Sequence, residues 1–80
     1  FNPETTIDYQ LVQDGNVSLA VYNMLGQKVS TLIEGFVGAG NYKAVWDGLN
    51  SNGEEMPSGI YMIHLTSENK SISEKVTLLR

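Results

Sequence analysis

The chain has 80 residues, no cysteine and a net charge of −4, from nine acidic and five basic side chains. Without cysteine there is neither a disulfide staple nor a thiolate metal site, so one apolar core must hold the domain together. The excess of acidic residues argues against a nucleic-acid partner, because proteins bind nucleic acid through clustered Lys and Arg. No apolar run approaches the roughly 18 residues of a membrane span.

The first third of the chain predicts three strands. Residues 1–4 are expected to be the end of a linker. Apolar and polar side chains alternate over residues 5–11 and 17–22, which is typical of half-buried strands. Gly26 is predicted to take a positive φ in the tight connection that follows. Residues 27–33 form a third strand whose weaker alternation indicates a bulge or a sheet edge, and a helical turn is the competing interpretation.

The middle of the chain predicts a loop and a fourth strand. Residues 34–41 hold three glycines and are interpreted as a loop, with Phe36 or Val37 tucked down as a plug. Residues 42–47 alternate again, so a strand is expected there.

The last third predicts a turn-rich loop and two more strands. Residues 48–55 form a loop that closes on Asn52-Gly53, a strong hairpin signal. Residues 59–67 are apolar on both faces, as in a central strand, and residues 71–79 form the final strand. Six or seven strands with short turns and no convincing helix indicate an all-β, immunoglobulin-like antiparallel β-sandwich in a single domain spanning residues 1–80.

The core of this sandwich is expected to come from apolar residues on the inward strand faces. Seven are predicted as structural core: Val17, Leu19, Val21, Trp46, Tyr61, Ile63 and Val76. The aromatic residues could instead form a platform for sugar rings. Core packing is the favoured interpretation, because each buried aromatic side chain contributes a large area to a small domain.

Two groups of residues invite a chemical interpretation. The loop from Asp47 to Gly53 has the oxygen-rich composition of a calcium loop, but its spacing leaves glycine at both ligand positions that should carry carboxylates. Turn geometry therefore explains its Asn, Asp and Gly. His64, the only histidine, lies in a predicted strand with no local acid partner. The sequence predicts no metal, no cofactor and no enzyme activity.

Gly59 carries a specific backbone prediction, because it stands at the mouth of a central strand, two residues after Pro57. Either it adopts a positive φ in a bulge, or its missing side chain lets an aromatic ring lie against the backbone.

Four segments match, in order, the motifs of a known family. They are Phe1-Asn2-Pro3-Glu4-Thr5-Thr6-Ile7, Val21-Tyr22-Asn23-Met24-Leu25-Gly26-Gln27-Lys28-Val29, Trp46-Asp47-Gly48 with Ser58-Gly59-Ile60-Tyr61, and Lys75-Val76-Thr77-Leu78-Leu79-Arg80. Together they resemble the type A C-terminal sorting domains of the type IX (Por) secretion system of Bacteroidetes and related bacteria. The third segment is shared with the immunoglobulin-like domain of the flagellar hook-capping protein, whereas the opening box and the basic end favour the sorting domain. Glu74 differs from this family's pattern, in which the residues before the C-terminal end are often more basic.

The resemblance implies a non-catalytic address label on an exported protein. The cargo domain upstream in the same chain would reach the periplasm by its own signal peptide. The outer-membrane translocon would then read the folded sandwich, and a surface sortase would often remove it. The cargo would end up extracellular or at the cell surface, with no nucleic acid and no membrane span involved.

Five residues are expected to matter for this recognition: Gly59, Tyr61, Lys75, Leu79 and Arg80. A terminal strand at a sheet edge can offer its backbone to a partner, and Arg80 adds a planar fork suited to a carboxylate. Core integrity is the competing role for Gly59 and Tyr61, and an ordinary solvated edge is the competing role for Lys75 and Arg80.

Two other functions remain open. The domain could be a structural immunoglobulin-like spacer or scaffold, which would tolerate extra residues after Arg80. It could also be a carbohydrate-binding module of a surface hydrolase, which would require Trp46 or several tyrosines to be exposed in a row.

Overall fold

The computed structural model describes residues 4–68 and 70–80. These residues form six strands: β1 Thr5–Leu11, β2 Gly15–Asn23, β3 Lys28–Val37, β4 Gly40–Trp46, β5 Gly59–Thr66 and β6 Ser71–Leu78. All pairings are antiparallel and make two sheets, one of order β1-β4 and one of order β3-β2-β5-β6. The predicted all-β immunoglobulin-like sandwich is confirmed. The described ranges contain no helix, and so none that could cross a membrane.

The core lies between the two sheets and is built by alternation along each strand. In β1, for example, Ile7, Tyr9 and Leu11 are buried while the residues between them are exposed. Because successive side chains of a strand point to opposite faces, one face of each strand supplies the core. Six of the seven predicted core residues are buried, and Val76 is half-buried against the same cluster.

Trp46 lies at the centre of this core and is fully buried. Its indole Nε1–H donates to the carbonyl oxygen of Leu49 at 2.9 Å, which satisfies its one polar atom. The ring of Tyr61 packs edge-on against it, with centroids 5.0 Å apart, and the Tyr61 hydroxyl donates to the carbonyl of Pro57 at 2.7 Å. The indole and this tyrosine ring are therefore packing elements, and Trp46 is unavailable as a sugar platform.

The predicted loop over residues 34–41 is wrong, because β3 continues through it to Val37. Pairing with β2 explains the difference: Val37 lies opposite Gly15, and the ladder accommodates Gly35 at a φ of 136°. Phe36 is 70% exposed and is not a plug, whereas Val37 packs against the core. The fourth strand accordingly begins earlier than expected, at Gly40.

β3 is an edge strand and its pairing is irregular, as its weak alternation predicts. The register with β2 shifts between Leu19 and Ala20 and again between Val21 and Tyr22. The competing helical turn is absent from this segment. Such shifts bend and twist an edge, which makes it a poor template for another strand.

β5 lies between β2 and β6, as predicted for a central strand, and ends one residue earlier than expected, at Thr66. Only its inward face is buried. On the other face Ile60 is 40% exposed and Met62 is half-buried, because the described chain places no layer over that side of the sheet. β6 ends at Leu78, so Leu79 follows the strand.

Candidate recognition surface at the C-terminal strand

The predicted recognition residues lie on and just beyond one end of the β5–β6 pair. Gly59 lies opposite Leu78, Tyr61 opposite Val76, and Met62 opposite Lys75. β6 is the outermost strand of its sheet and pairs only with β5 among the described strands. One side of its backbone therefore faces outward near this end.

Lys75 and Leu79 are the accessible members of the set. Lys75 is exposed, and its ammonium group has no ion pair with any described residue. Leu79 is 58% exposed and follows directly on the fully buried Leu78. A partner could contact both side chains without disturbing the core.

Arg80 is held by its own chain, in an arrangement that we call the Arg80 latch. Its Nε donates to the carbonyl of Met56 and its Nη2 to the carbonyl of Gly48, both at 2.5 Å. Its backbone N–H donates to the Ser58 hydroxyl at 2.9 Å, and Nη1 lies 3.6 Å from a carboxylate oxygen of Glu55. The Arg80 side chain is 24% exposed. Its guanidinium is therefore neither free to bind the carboxylate of a partner nor an ordinary solvated charge, the two roles considered from the sequence.

Gly59 has the positive φ of the first prediction, but it does not lie in the bulge that this prediction included. Its φ is +154°, a value that side-chain-bearing residues rarely adopt. A Cβ built on it would meet no atom within 4 Å, so the alternative in which an aromatic ring lies against the backbone is wrong. The residue pairs in register with Leu78 at the start of β5, outside any bulge in that ladder.

The carbonyls of Gly48 and Met56 and the hydroxyl of Ser58 form the part of this region that the sequence analysis missed. They lie 32, 24 and 22 residues before Arg80 in the chain. No local sequence pattern indicates a contact between residues so far apart. The sequence Trp46-Asp47-Gly48 indicates a turn, and Gly48 has a φ of 80°, but these residues do not indicate a contact with Arg80.

The loop between β4 and β5 uses its polar side chains to build turns. Asp47 accepts a hydrogen bond from the backbone N–H of Leu49, and Asn50 accepts from those of Asn52 and Glu54. Gly53 has a φ of 82° and donates to the carbonyl of Asn50. These contacts are those of Asx turns. Residues 4–68 and 70–80 contain no group of three or more His, Asp or Glu side chains placed to hold a metal ion.

His64 lies on the outer face of the β5–β6 pair with both ring nitrogens occupied. Nδ1 is 2.5 Å from the Ser73 hydroxyl and Nε2 is 3.0 Å from that of Ser71. The Tyr22 ring meets the imidazole edge-on at a centroid distance of 6.3 Å. These groups lie on an open sheet face, without the carboxylate and the concave pocket that a nucleophile–base pair requires.

Comparison with known proteins gives the chain a family. The model of the FlgD Ig-like domain matches residues 4–71. The crystal structure of FlgD from P. aeruginosa superimposes with a TM-score of 0.70 at 28% sequence identity, covering 94% of this chain. The chain spans only 59% of that FlgD, and no curated protein matches it. Neither finding shows a type IX sorting domain. With more than half of its residues matched by the family model, the chain belongs to the family of FlgD Ig-like domains.

Proposed function

We propose that this FlgD-like Ig domain acts without catalysis as a C-terminal sorting signal of the type IX secretion system. The observation that carries the proposal is the outermost strand β6, which presents an unpaired Lys75 and an exposed Leu79 beside a rigidly latched end. An exposed edge strand can pair with a partner through its backbone while neighbouring side chains supply specificity. The four sequence motifs described above support the same role.

The partners in this proposal are an outer-membrane translocon, a surface sortase and a cargo domain upstream in the same chain. The cargo crosses the periplasm and becomes extracellular or surface-bound. Of the five predicted recognition residues, Lys75 and Leu79 would contact the translocon. Gly59, Tyr61 and Arg80 would act indirectly by holding the end of β6 in place.

Truncation is a poor test, because removing residues 75–80 also removes the buried Leu78 and the Arg80 latch. We therefore choose the double variant Lys75→Glu with Leu79→Ser, made in the full-length parent protein in a host with a type IX system. Both positions are exposed, so each change should alter stability by no more than about 0.5 kcal/mol. We expect the cargo to accumulate in the periplasm, measured by fractionation and immunoblotting.

A matched control makes the same kinds of substitution elsewhere on the surface. Lys28 and Val12 are exposed, and Lys28→Glu with Val12→Ser has the same change of charge and polarity. This control should secrete its cargo like the unmodified protein. Normal secretion of the Lys75–Leu79 variant would contradict the proposal.

A structural scaffold is the second candidate, and the family match favours it. FlgD is the flagellar hook-capping protein, and a domain of this kind can serve as a spacer whose own surface transmits no signal. This candidate predicts that export is unaffected by the Lys75–Leu79 variant and by residues added after Arg80.

A further inference from the structure

The two layers of the sandwich have unequal widths. Four strands form one sheet and only two form the other. β4 approaches β3, so the smaller sheet covers the larger one from the β3 side. The strip above β6 has no described strand over it.

This strip is a groove between β1 and β6. One wall is β1, along Ile7 to Gln10, and the floor consists of inward-facing residues of β5 and β6, among them Ile63, Leu65 and Ile72. The burial of the inward residues of β6 changes along the strand. Leu78 is fully buried at one end, whereas Ile72 is 49% exposed at the other.

Glu74 is the charged group on this apolar floor. It shares the inward face of β6 with Ile72, and it is exposed. Its carboxylate makes no hydrogen bond or ion pair with any other residue that the structure describes. Folding thus leaves one uncompensated negative charge in a groove whose other floor residues are apolar.

The edge of β1 that borders the groove lacks the usual protection against strand pairing. Among the described strands β1 pairs only with β4, in a register without shifts from Thr5 to Leu11, and it contains neither proline nor lysine. By contrast, the β3 edge is bent by two register shifts and β6 carries Lys75. A straight, unguarded edge is a template for another strand.

We propose that this groove binds an extended segment of a partner protein as a third strand of the smaller sheet. The segment pairs with the free edge of β1 and lies over β6. Alternate side chains are apolar and face Ile63, Leu65 and Ile72, and one Lys or Arg among them meets Glu74. A second copy of this chain, paired through β1, does not fit this chemistry, because Thr5–Leu11 contains no basic residue. The inference concerns a different surface from Lys75 and Leu79 and does not depend on the proposed sorting role.

The test uses the whole 80-residue chain, labelled with ¹⁵N, and two synthetic peptides. One has the sequence Val-Thr-Lys-Thr-Val-Thr-Val, blocked at both ends, and the other has Glu in place of Lys. We expect the Lys peptide to shift the amide resonances of β1 and of the inward β6 residues, and to slow hydrogen exchange along β1. An exposed ion pair adds up to about 1 kcal/mol, so the Glu peptide should bind roughly fivefold more weakly.

A charge reversal separates specific binding from general attraction. Glu74→Lys should reverse the preference of the two peptides, whereas Glu34→Lys, which makes the same change on the β3 edge, should leave it unaltered. The proposal is overturned by the absence of β1 shifts at millimolar peptide, by shifts confined to other edges, or by a preference that Glu74→Lys does not reverse. It is also overturned if sedimentation shows a dimer that protects β1 without peptide.

Discussion

The conformation of Gly59 is the residue-scale feature with the sharpest consequence. At a φ of +154° any Cβ is strained, but a Cβ added there would meet no atom of the packed neighbours within 4 Å. Strain of this kind costs about 1–3 kcal/mol and depends on the presence of a Cβ more than on side-chain volume. We therefore expect Gly59→Ala and Gly59→Val to lower the free energy of unfolding by similar amounts, measured by urea denaturation.

The paired variants distinguish strain from crowding. If Gly59→Val destabilises the domain by several kcal/mol more than Gly59→Ala, then the backbone account is incorrect. The sequence predicted that Gly59 was constrained but left two reasons open, because a glycine that permits an unusual φ and a glycine that permits a close contact look identical in sequence.

At the scale of the element, the Arg80 latch fastens the end of β6 to the loop between β4 and β5. Replacing Arg80 by Met keeps the aliphatic stem but removes the guanidinium donors to Gly48 and Met56. Because the buried Gly48 carbonyl still accepts a hydrogen bond from the backbone N–H of Met56 after the change, we expect a loss of only about 1–2 kcal/mol. For a domain of this size that corresponds to a fall in Tm of very roughly 4–16 °C.

The control for this prediction is Lys75→Met, which removes a positive charge from β6 without removing an ion pair. Its Tm should stay within a few degrees of the unmodified domain. Equal melting temperatures for the two variants would show that the latch contributes nothing to stability.

The strands themselves were largely predictable, because alternation reports which face of each strand is buried. The end of β3 was not. Gly35 and Gly38 indicate a loop by composition, yet pairing with β2 holds Glu34 to Val37 in the sheet. The latch was also beyond sequence analysis, since its partners are brought together only by the closed fold.

At the scale of the whole molecule, the buried phenol of Tyr9 links folding to alkaline pH. The rings of Tyr9 and Tyr42 stack with centroids 5.4 Å apart between β1 and β4. Burial raises the pKa of Tyr9 above its ordinary value of 10.0, and the neighbouring Tyr42 raises this pKa further. The folded state therefore holds the Tyr9 proton more tightly than the unfolded state does.

The sign of the effect follows from this difference. The stabilisation is fully present below the unfolded pKa, near pH 10, and is lost as the pH rises through the higher folded pKa. We expect Tyr9→Phe to lose less stability than the unmodified domain between about pH 9 and pH 11, measured by urea denaturation at each pH. Identical profiles for Tyr9→Phe and the unmodified domain would contradict the assignment.

The position of the Arg80 latch also determines how the domain responds to mechanical load. β6 has a single described neighbour, and its last ladder pair joins Leu78 to Gly59. If the C-terminal end is pulled away from the sheet, the hydrogen bonds between β6 and β5 break one after another. Breaking them one at a time takes far less force than breaking all of them together by sliding the strand. Arg80 follows Leu78 in the chain, so it lies on the loaded side of the first of those bonds. Tension therefore reaches the β5–β6 hydrogen bonds only after the guanidinium has lost its hydrogen bonds to the β4–β5 loop.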